Sequence, residues 1–409
     1  MARLKGFIKL TNVDDALQSF LAQLKPEKLG SELVSLKEAL GRVTAEDVRA
    51  KYSLPPFDRS AVDGYALQAK DTFGVSAFNP KVFKLTDCKV HENEARELWT
   101  GNPVPEGADA VVMLEYTKKL EDMIEVQKAV TPGRNVAKMG EDVTKGNVAV
   151  EAGIRLNPYH LGLLGAMGET QVAVVRKPKV AILATGNELV EMGQKLEHGK
   201  ILESNRLMFS SLCKELGAEP LNLGLVKDDL NEISAKIREG LEQADAVLTT
   251  GGTSVGNPDL VPIAVNKLGK SGIVVHGMAI RPGMPTALAI LEGKPVFVLS
   301  GNPVAATVGF EAFARPTLLK LLGIDEVRPA VDAKLTRRVA GVLGRRVFLR
   351  VRVFEKGGGF LAEPVRVTGS GVITTMTKAN GYVIIPEDRE GVEEGESVRV
   401  HLFSSIMRE

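Results

Sequence analysis

The sequence contains little cysteine, almost no excess charge and no long apolar run. Its 409 residues include only two cysteines, Cys88 and Cys213, which stand far apart and match no CxxC or Cys/His spacing. Neither a disulfide framework nor a zinc site is expected, and a reducing cytoplasm fits this composition. The formal net charge of +1 argues against a dedicated nucleic-acid binder, which normally has a basic domain. No run reaches the ~18 apolar residues of a membrane span, so we expect a cytoplasmic protein with neither nucleic-acid nor membrane partners.

The length of the chain and the change of its sequence pattern from one region to the next predict several domains. Single cores stop growing at about 250–300 residues. In the first half, helical patterns flank short β-like runs that are separated by Gly, Pro and Asn. We therefore expect a multidomain fold with α/β and β domains. The predicted parts are a helical linker domain in two segments (1–42 and 146–177), an inserted β domain (43–145), an α/β domain (178–328) and a C-terminal β domain (329–409).

Apolar strands alternate with amphipathic helices from Pro178 onward, which predicts a mostly parallel sheet with helices on both faces. The predicted strands are 180–183, 221–226, 246–248, 273–275, 286–290 and 296–299, and the predicted helices are 203–216, 230–242, 259–268 and 304–321. Near the N-terminus, Thr11 followed by Asp14 predicts an N-capped helix that Pro26 ends.

One glycine-rich stretch, residues 246–256 followed by Asp259, has the pattern of a strand that runs into a loop and then a helix. Glycine lets successive backbone N–H groups approach an anion closely. A phosphate cradle is therefore one interpretation, and its binding residues would be Gly251, Gly252, Thr253, Ser254 and Gly256. A tight turn between a strand and a helix, without any ligand, explains the same pattern.

Three further loops follow apolar strands of the α/β part, and they contain Glu188, Asp228 and the run Gly301-Asn302-Pro303. Ligands bind beyond the carboxyl ends of parallel strands. We therefore expect Glu188, Asp228 and Asp259 at one rim, where carboxylates beside a phosphate cradle suit Mg²⁺. Each acid taken alone is explained as well by a helix cap or a solvated turn.

Other loops carry weaker signals. Arg281, in the turn Arg281-Pro282-Gly283, can bind an anion through two N–H groups, or it can be a solvated turn residue. Residues 55–65, 99–105 and 140–142 combine Pro, Gly and polar groups in the way of surface sites, although structural turns explain them too. Residues 334–352 hold seven basic residues and no acidic one, whereas residues 386–396 hold six acidic ones. The histidines accompany no GxSxG elbow, so no hydrolase triad is expected.

Taken in order, these motifs resemble those of the molybdopterin molybdenumtransferase (MoeA) family, whose animal relative is the gephyrin E domain. The resemblance covers nearly the whole chain. The matching stretches are residues 55–66, 100–109, 140–142, 185–189, 227–229, 251–259, 280–286 and 301–304.

The resemblance implies a linker domain, an inserted β domain, a MogA-like α/β domain that binds molybdopterin, and a C-terminal β domain. It implies elongated homodimers whose cleft combines domains of both subunits. The implied reaction takes adenylylated molybdopterin and molybdate, cleaves the adenylate with Mg²⁺, releases AMP and inserts the metal into the dithiolene. A molybdopterin adenylyltransferase and cofactor-accepting molybdoenzymes are the candidate partners.

Site residues follow from the resemblance position by position. Its catalytic positions fall on Asp63, Thr100 and Asp142 in the inserted domain and on Glu188, Asp228 and Asp259 in the α/β domain, the last three being the Mg²⁺ candidates. The substrate and phosphate positions are the glycine-rich loop, Arg281, Pro282, Gly301, Asn302 and Pro303. The oxyanion-binding positions are Arg350 and Ser370.

The chain departs from the family pattern at several positions. Met284 and Gly277 stand where the family usually has lysines, and Ala305 stands where it usually has a serine. Each charge-assisted hydrogen bond to an oxyanion contributes about 1–3 kcal/mol, so these losses weaken the expected oxyanion site. A tungstate-inserting paralogue is an alternative, although no residue of the sequence favours tungstate over molybdate.

Two further functions stay open. The chain could be a molybdopterin adenylyltransferase, because its α/β domain resembles that enzyme, but the inserted and C-terminal domains count against this. It could also be a non-enzymatic scaffold, as the gephyrin E domain is. Scaffolding would be favoured by an extra N-terminal domain with a long linker, which we do not expect here.

Overall fold

A computed structural model describes residues 10–252, 259–269, 272–366 and 369–408. The chain forms two compact units, one from residues 1–31 and 175–409 and the other from residues 32–174. The finer predicted division, with boundaries near residues 42, 145, 177 and 328, stays a prediction. None of the described helices combines the length and the apolar character that crossing a membrane requires.

The first described helix is α1 (Val13–Leu24). Its cap is Asn12, whose Oδ1 accepts a hydrogen bond from the Asp14 backbone N–H at 2.8 Å, so the predicted cap, Thr11, is wrong by one residue. Thr11 instead uses its backbone in a bridge, donating to the Gly277 carbonyl at 3.0 Å. The helix ends at Leu24, and Lys25 follows in a left-handed conformation, so the helix stops just before Pro26, as predicted.

The unit of residues 32–174 is largely β structure. Its elements are β1 (Ser31–Ser35), β2 (Val48–Arg49), β3 (Arg59–Ser60), β4 (Gly64–Leu67), β5 (Lys81–Leu85), β6 (Glu94–Leu98), β7 (Ala110–Met113), β8 (Thr117–Leu120), β9 (Met123–Val126), β10 (Val136–Ala137), β11 (Val148–Val150), α2 (Pro158–Ala166) and β12 (Gln171–Val175). Its main sheet has the order β7-β4-β6-β5-β9-β8. Tyr65, Leu67, Phe83 and Ile124 are buried in its core.

The α/β part begins with β13 and follows the predicted alternation. Its elements are β13 (Lys179–Thr185), β14 (Leu189–Val190), β15 (Ile201–Leu202), α3 (Asn205–Leu216), β16 (Glu219–Val226), α4 (Leu230–Gln243), β17 (Ala246–Thr250), α5 (Leu260–Leu268), β18 (Gly272–His276), β19 (Ile280–Arg281), β20 (Ala287–Leu291), β21 (Lys294–Leu299), α6 (Pro303–Gly309) and α7 (Arg315–Leu321). A π-helical turn, Phe310–Ala314, joins α6 to α7. The single helix predicted at 304–321 is therefore interrupted, because Pro316 has no N–H to continue the α pattern.

The six-stranded sheet of this part has the order β16-β13-β17-β21-β20-β18. The first four strands are parallel. Strand β20 is antiparallel to both of its neighbours, β21 and β18, so β18 runs in the same direction as the first four strands. Its strands are buried because helices cover them: Ile233 and Ile237 of α4 and Val261 and Val265 of α5 share a core with the sheet. The predicted fold class, a mostly parallel α/β sheet joined to β domains, is confirmed.

The remaining elements form a second β structure within the same unit. They are β22 (Ala330–Leu335), β23 (Val339–Ala340), β24 (Arg346–Lys356), β25 (Gly359–Arg366), α8 (Thr374–Thr377), β26 (Gly381–Ile385), β27 (Gly391–Val392), β28 (Ser397–Leu402) and β29 (Met407–Arg408). Strands β24, β25, β22, β28 and β26 pair in a closed ring, since β26 pairs back to β24. The basic and acidic runs of the sequence meet here, for example where Arg338 pairs with Glu393 at 3.1 Å.

Candidate functional site

Four loops leave the sheet at the carboxyl ends of its parallel strands β13, β16, β17 and β21. The first two loops are joined by a reciprocal pair of hydrogen bonds. The Asn187 N–H donates to Asp228 Oδ2 at 3.1 Å, and the Asp228 N–H donates to Asn187 Oδ1 at 3.2 Å. The rim that the strand ends form is where ligands bind in open α/β sheets.

The glycine-rich loop after β17 packs directly against the end of β13. Gly251 and Gly252 have φ angles of +96° and +63°. A Cβ at Gly251 would lie 2.0 Å from the Thr185 carbonyl oxygen, and one at Gly252 would lie 2.8 Å from Thr185 Oγ1. Both positions therefore need glycine for conformation and for space. The other predicted cradle residues, Thr253, Ser254 and Gly256, lie outside the described residues.

The side chains of Asn205 and Thr250, which carry no signal in the sequence, form hydrogen bonds between the loop after β21 and the end of β17, where the glycine-rich loop begins. Asn205 Nδ2 donates to the Gly301 carbonyl and to Thr250 Oγ1, both at 2.8 Å. Thr250 Oγ1 in turn donates to the Ser300 carbonyl at 3.0 Å. Asn205 is the first residue of α3, and only the fold brings it to this rim, so no local motif could have revealed it.

The three predicted acids differ in their surroundings. Glu188 is exposed, and its carboxylate lies over Gly186. Asp228 is half-buried, and its neighbour Asp229 caps α4 by accepting from two backbone N–H groups. Asp229 therefore caps α4, and the Asp228 carboxylate does not take part in capping but lies at the rim, where it accepts from the Asn187 N–H.

Asp259 precedes α5 without capping it through its side chain. Its Oδ2 lies 3.6 Å from His276 Nε2. Burial raises the pKa of the Asp259 carboxyl and lowers the pKa of the His276 imidazole. Both shifts favour the neutral forms, because desolvation penalises charge.

Unpaired oxygens at this rim suit a hard cation. Thr185 Oγ1, Asp228 Oδ1 and Asp259 Oδ1 are buried and have no hydrogen-bond partner in the described part of the chain. Oxygen donors of this kind, carboxylates above all, are what Mg²⁺ takes. The described residues contain no cluster of three or more His, Cys, Asp or Glu side chains able to hold a metal, so the three-carboxylate assignment with Glu188 stays a prediction.

Several predicted anion-binding residues line a separate cavity of about 340 Å³. We call it the arginine cavity, because Arg281, Arg345 and Arg350 line it. It exists because β19 pairs in parallel with β24, Ile280 opposite Arg346 and Arg281 opposite Val347. Residues of the α/β part and residues of the closed ring of strands therefore line the cavity together. The predicted residues that line it are Arg281, Pro282, Asn302, Arg350 and Ser370, and the lining also includes the two departures Met284 and Ala305 and an unpredicted residue, Arg345.

Arg350 is the most enclosed of these cations. Only 3% of its surface is exposed, and its NH1 donates to the Phe348 carbonyl at 3.1 Å. Burial lowers the pKa of the guanidinium, although an arginine side chain stays protonated at neutral pH. Ser370 is held through its carbonyl, which accepts from the Val304 N–H at 3.0 Å.

The unit of residues 32–174 carries the other predicted catalytic residues. Asp63 Oδ1 accepts hydrogen bonds from the Thr100 N–H at 2.7 Å and from Thr100 Oγ1 at 2.8 Å. These bonds lower the pKa of Asp63, the backbone bond contributing most. Asp142 is exposed on another turn, where its N–H donates to the Leu54 carbonyl at 3.0 Å. Asp63 and Thr100 are therefore brought together, and no hydrogen bond among the described residues joins Asp142 to them.

Comparison with known families matches three consecutive regions of the chain. Residues 11–168 match the MoeA N-terminal region (domain I and II), residues 181–320 match a probable molybdopterin binding domain, and residues 332–403 match the MoeA C-terminal region (domain IV).

Whole-length relatives agree with this match. A putative molybdopterin biosynthesis protein of Methanocaldococcus jannaschii is 39% identical over 98% of the chain and 100% of its own length. The molybdopterin molybdenumtransferase of Bacillus subtilis is 38% identical over 91% of the chain and 90% of its own length. The crystal structure of a molybdopterin biosynthesis moeA protein from Pyrococcus horikoshii superimposes with a TM-score of 0.84 at 34% identity, covering 97% of this chain and 100% of that one.

Proposed function

The chain belongs to the molybdopterin molybdenumtransferase (MoeA) family, and from this premise we propose that it inserts molybdate into adenylylated molybdopterin, with cleavage of the adenylate and release of AMP. The substrates are the adenylylated pterin and the oxyanion, and Mg²⁺ assists the cleavage. Matches to both the N-terminal and the C-terminal regions of the family favour this reaction over adenylyl transfer, which needs neither region.

One observation supports the proposal most directly. The loop of Ser300, Gly301 and Asn302 belongs to both candidate sites: an ideal Cβ at Gly301 would lie 3.4 Å from Gly251 Cα, and Ser300 and Asn302 line the arginine cavity. A phosphate bound at the glycine-rich loop and an oxyanion bound in the cavity would therefore be neighbours. The reaction requires this proximity, because the adenylate must be cleaved beside the incoming oxyanion.

The glycine-rich loop and the arginine cavity bind different parts of the substrates. Backbone N–H groups of the glycine-rich loop hold the nucleotide phosphates, which glycine permits at Gly251 and Gly252. Arg281 and Arg350 hold the oxyanion by paired N–H donors, with the Ser370 hydroxyl as a further donor. The enclosing wall orients the oxyanion towards the pterin and limits its exchange with water.

Mg²⁺, when bound, would neutralise charge that develops on the phosphate of the leaving AMP. Asp228 and Asp259 would hold it, since each has a buried oxygen that lacks a partner in the described chain. Asp63, Thr100 and Asp142 are proposed as catalytic residues on the family pattern, and Glu188 as a further metal ligand.

We also propose that the protein works as a homodimer. Sedimentation equilibrium tests this directly, and a mass of one 43.9 kDa chain would contradict it.

The decisive experiment uses adjacent acids. Asp228→Asn and Asp259→Asn should each abolish Mg²⁺-dependent release of AMP from adenylylated molybdopterin while the far-UV circular dichroism stays unchanged. Asp229→Asn is the matched control, because asparagine caps helices as well as aspartate does and removes the same charge. Undiminished AMP release by both test variants would refute the proposal.

The identity of the oxyanion needs a separate measurement. Isothermal titration with molybdate and with tungstate, in the presence of Mg²⁺ and AMP, distinguishes the two substrates. We expect molybdate to bind more tightly. Tighter binding of tungstate would assign the chain to the tungstate-inserting alternative, and Met284 and Ala305 would then be the first positions to exchange.

A further inference from the structure

The arginine cavity contains one cation that the family pattern did not supply. Its described lining includes three arginines, Arg281, Arg345 and Arg350, and no aspartate or glutamate. Like charges gathered in a partly enclosed space repel each other. The arrangement is therefore most favourable when an anion occupies the cavity.

The position of Arg345 is fixed by a tight turn just before β24. The Arg345 N–H donates to the Val342 carbonyl at 3.0 Å, and the Gly344 N–H donates to the Glu387 carbonyl at 2.8 Å. Gly344 has a φ angle of +77°, which glycine adopts without strain. The turn holds Arg345 half-buried at the cavity wall.

The next residue, Arg346, has a different role. It donates to both carboxylate oxygens of Asp14 at 2.7 and 2.6 Å, and its Nε lies 3.2 Å from Glu387 Oε1. Asp14 and Glu387 therefore form their ion pairs with Arg346. In the described chain no carboxylate forms an ion pair with Arg345, so its positive charge is available to a ligand.

The cavity also lacks a cation that the family pattern predicts. Met284, which lines it, stands where an ammonium group was expected. We propose that Arg345 is a third anion-binding arginine of this site, holding the oxyanion together with Arg281, Arg350 and the Ser370 hydroxyl. This assignment rests on the proposed function and adds the residue that replaces the missing lysine charge. A guanidinium suits the task because its paired N–H groups match two oxygens of a tetrahedral dianion.

The first test measures molybdate binding to the full chain by isothermal titration. Loss of one charge-assisted contact weakens binding roughly tenfold or more, and this is the effect expected for Arg345→Gln. The matched control is Arg352→Gln on the strand that follows Arg345, β24. It removes the same charge from a residue outside the cavity that faces the Phe354 ring. The control should bind molybdate as the unchanged protein does.

A rescue variant separates ligand binding from a structural role. Adding Met284→Lys to Arg345→Gln places an ammonium in the same cavity and should restore much of the lost affinity. A purely structural contribution of Arg345 would not be restored in this way. The thermal stability of ligand-free Arg345→Gln should not fall, because the substitution relieves repulsion between cations.

The outcomes distinguish this inference from the proposed function. If Arg350→Gln loses molybdate binding while Arg345→Gln keeps it, the role of Arg345 is refuted and the oxyanion site stands. An equal loss in Arg345→Gln and Arg352→Gln also refutes the role, since it reflects net charge alone. If the unchanged protein binds neither molybdate nor tungstate, the oxyanion site itself is refuted, and the role of Arg345 with it.

Discussion

Asp14 and Arg346 are separated by 332 residues in the sequence and are joined by two hydrogen bonds, of 2.7 and 2.6 Å. The pair ties the first turn of α1 to the start of β24. Because β24 also pairs with β19, the same strand connects the N-terminal helix, the Arg281 turn and Arg350. A contact far from any predicted catalytic residue therefore supports the wall of the arginine cavity.

This pair predicts a pH-dependent contribution to stability. The hydrogen bonds from Arg346 lower the pKa of Asp14 below its ordinary value of 3.8, so its stabilising effect is full above that value and is lost as the pH falls through the lowered pKa. Asp14 is 73% exposed, and Asp14→Asn should lower the free energy of unfolding by no more than about 1 kcal/mol at neutral pH.

Urea unfolding of both proteins, from about pH 7 to about pH 3, measures this difference. The two stabilities should converge at the acid end. A difference that stays constant over the whole range would show that the charge of Asp14 is not involved.

The close packing of the glycine-rich loop predicts an unequal response to alanine. Gly193→Ala should cost about 1–2 kcal/mol, because Gly193 has a φ angle of +87° but nothing within 4 Å of an added Cβ. Gly251→Ala imposes a similar backbone strain, at φ +96°, and also a 2.0 Å clash with the Thr185 carbonyl. Chemical denaturation should therefore give a loss at Gly251 at least about 1 kcal/mol larger; equal losses would mean that the loop moves away freely.

A buried ion pair at the start of α3 predicts a larger loss of stability than an exposed ion pair does. Glu203 and Arg206 are 3% and 6% exposed, and Arg206 Nε donates to Glu203 Oε2 at 2.8 Å. Glu203→Gln removes the more buried of the two carboxylates that pair with Arg206, the other being Glu191, and should cost about 1.5–3 kcal/mol. The control Glu239→Gln, which breaks the exposed pair with Lys236, should cost under about 1 kcal/mol. Similar midpoints of urea unfolding for the two variants would contradict this ranking.

The Asp63–Thr100 contact predicts a measurable pKa change. Thr100→Ala removes the hydroxyl donor but keeps the backbone donor, whose effect on the pKa is the larger. The pKa of Asp63 should therefore rise and yet stay below its ordinary value of 3.8. Titration followed by ¹³C resonances of labelled aspartates measures this, and Thr100→Ser, which retains a hydroxyl, should change the pKa less. An unchanged pKa in Thr100→Ala would mean that the hydroxyl donates elsewhere in solution.

The order of strands and helices in the α/β part could be predicted because most of the long strands contain a short apolar run and alternate with amphipathic helices. The strand predicted at 246–248 extends to Thr250 as β17, and the helix predicted at 230–242 is α4, Leu230–Gln243. Parallel strands place their carboxyl ends together, so the rim followed from the same pattern.

The cavity could be predicted only in part. Arg345 and Arg346 belong to a basic run that the sequence reveals, but adjacent arginines look alike in a sequence. Their opposite environments depend on the turn at Gly344 and on Asp14, which reaches Arg346 from the other end of the chain. The contribution of Asn205 was invisible for a similar reason, because its two partners come from the ends of β17 and β21.

The closed ring of β24, β25, β22, β28 and β26 has a consequence for self-association. A strand that pairs on one side only exposes unpaired N–H and C=O groups, which can recruit a strand from another molecule. Within the ring each strand has a neighbour on both sides. In the six-stranded sheet, by contrast, the outer strands β16 and β18 each pair on one side only in the described chain. Aggregation by strand addition would therefore begin at open edges such as β16 and β18, and not at the ring that carries Arg350.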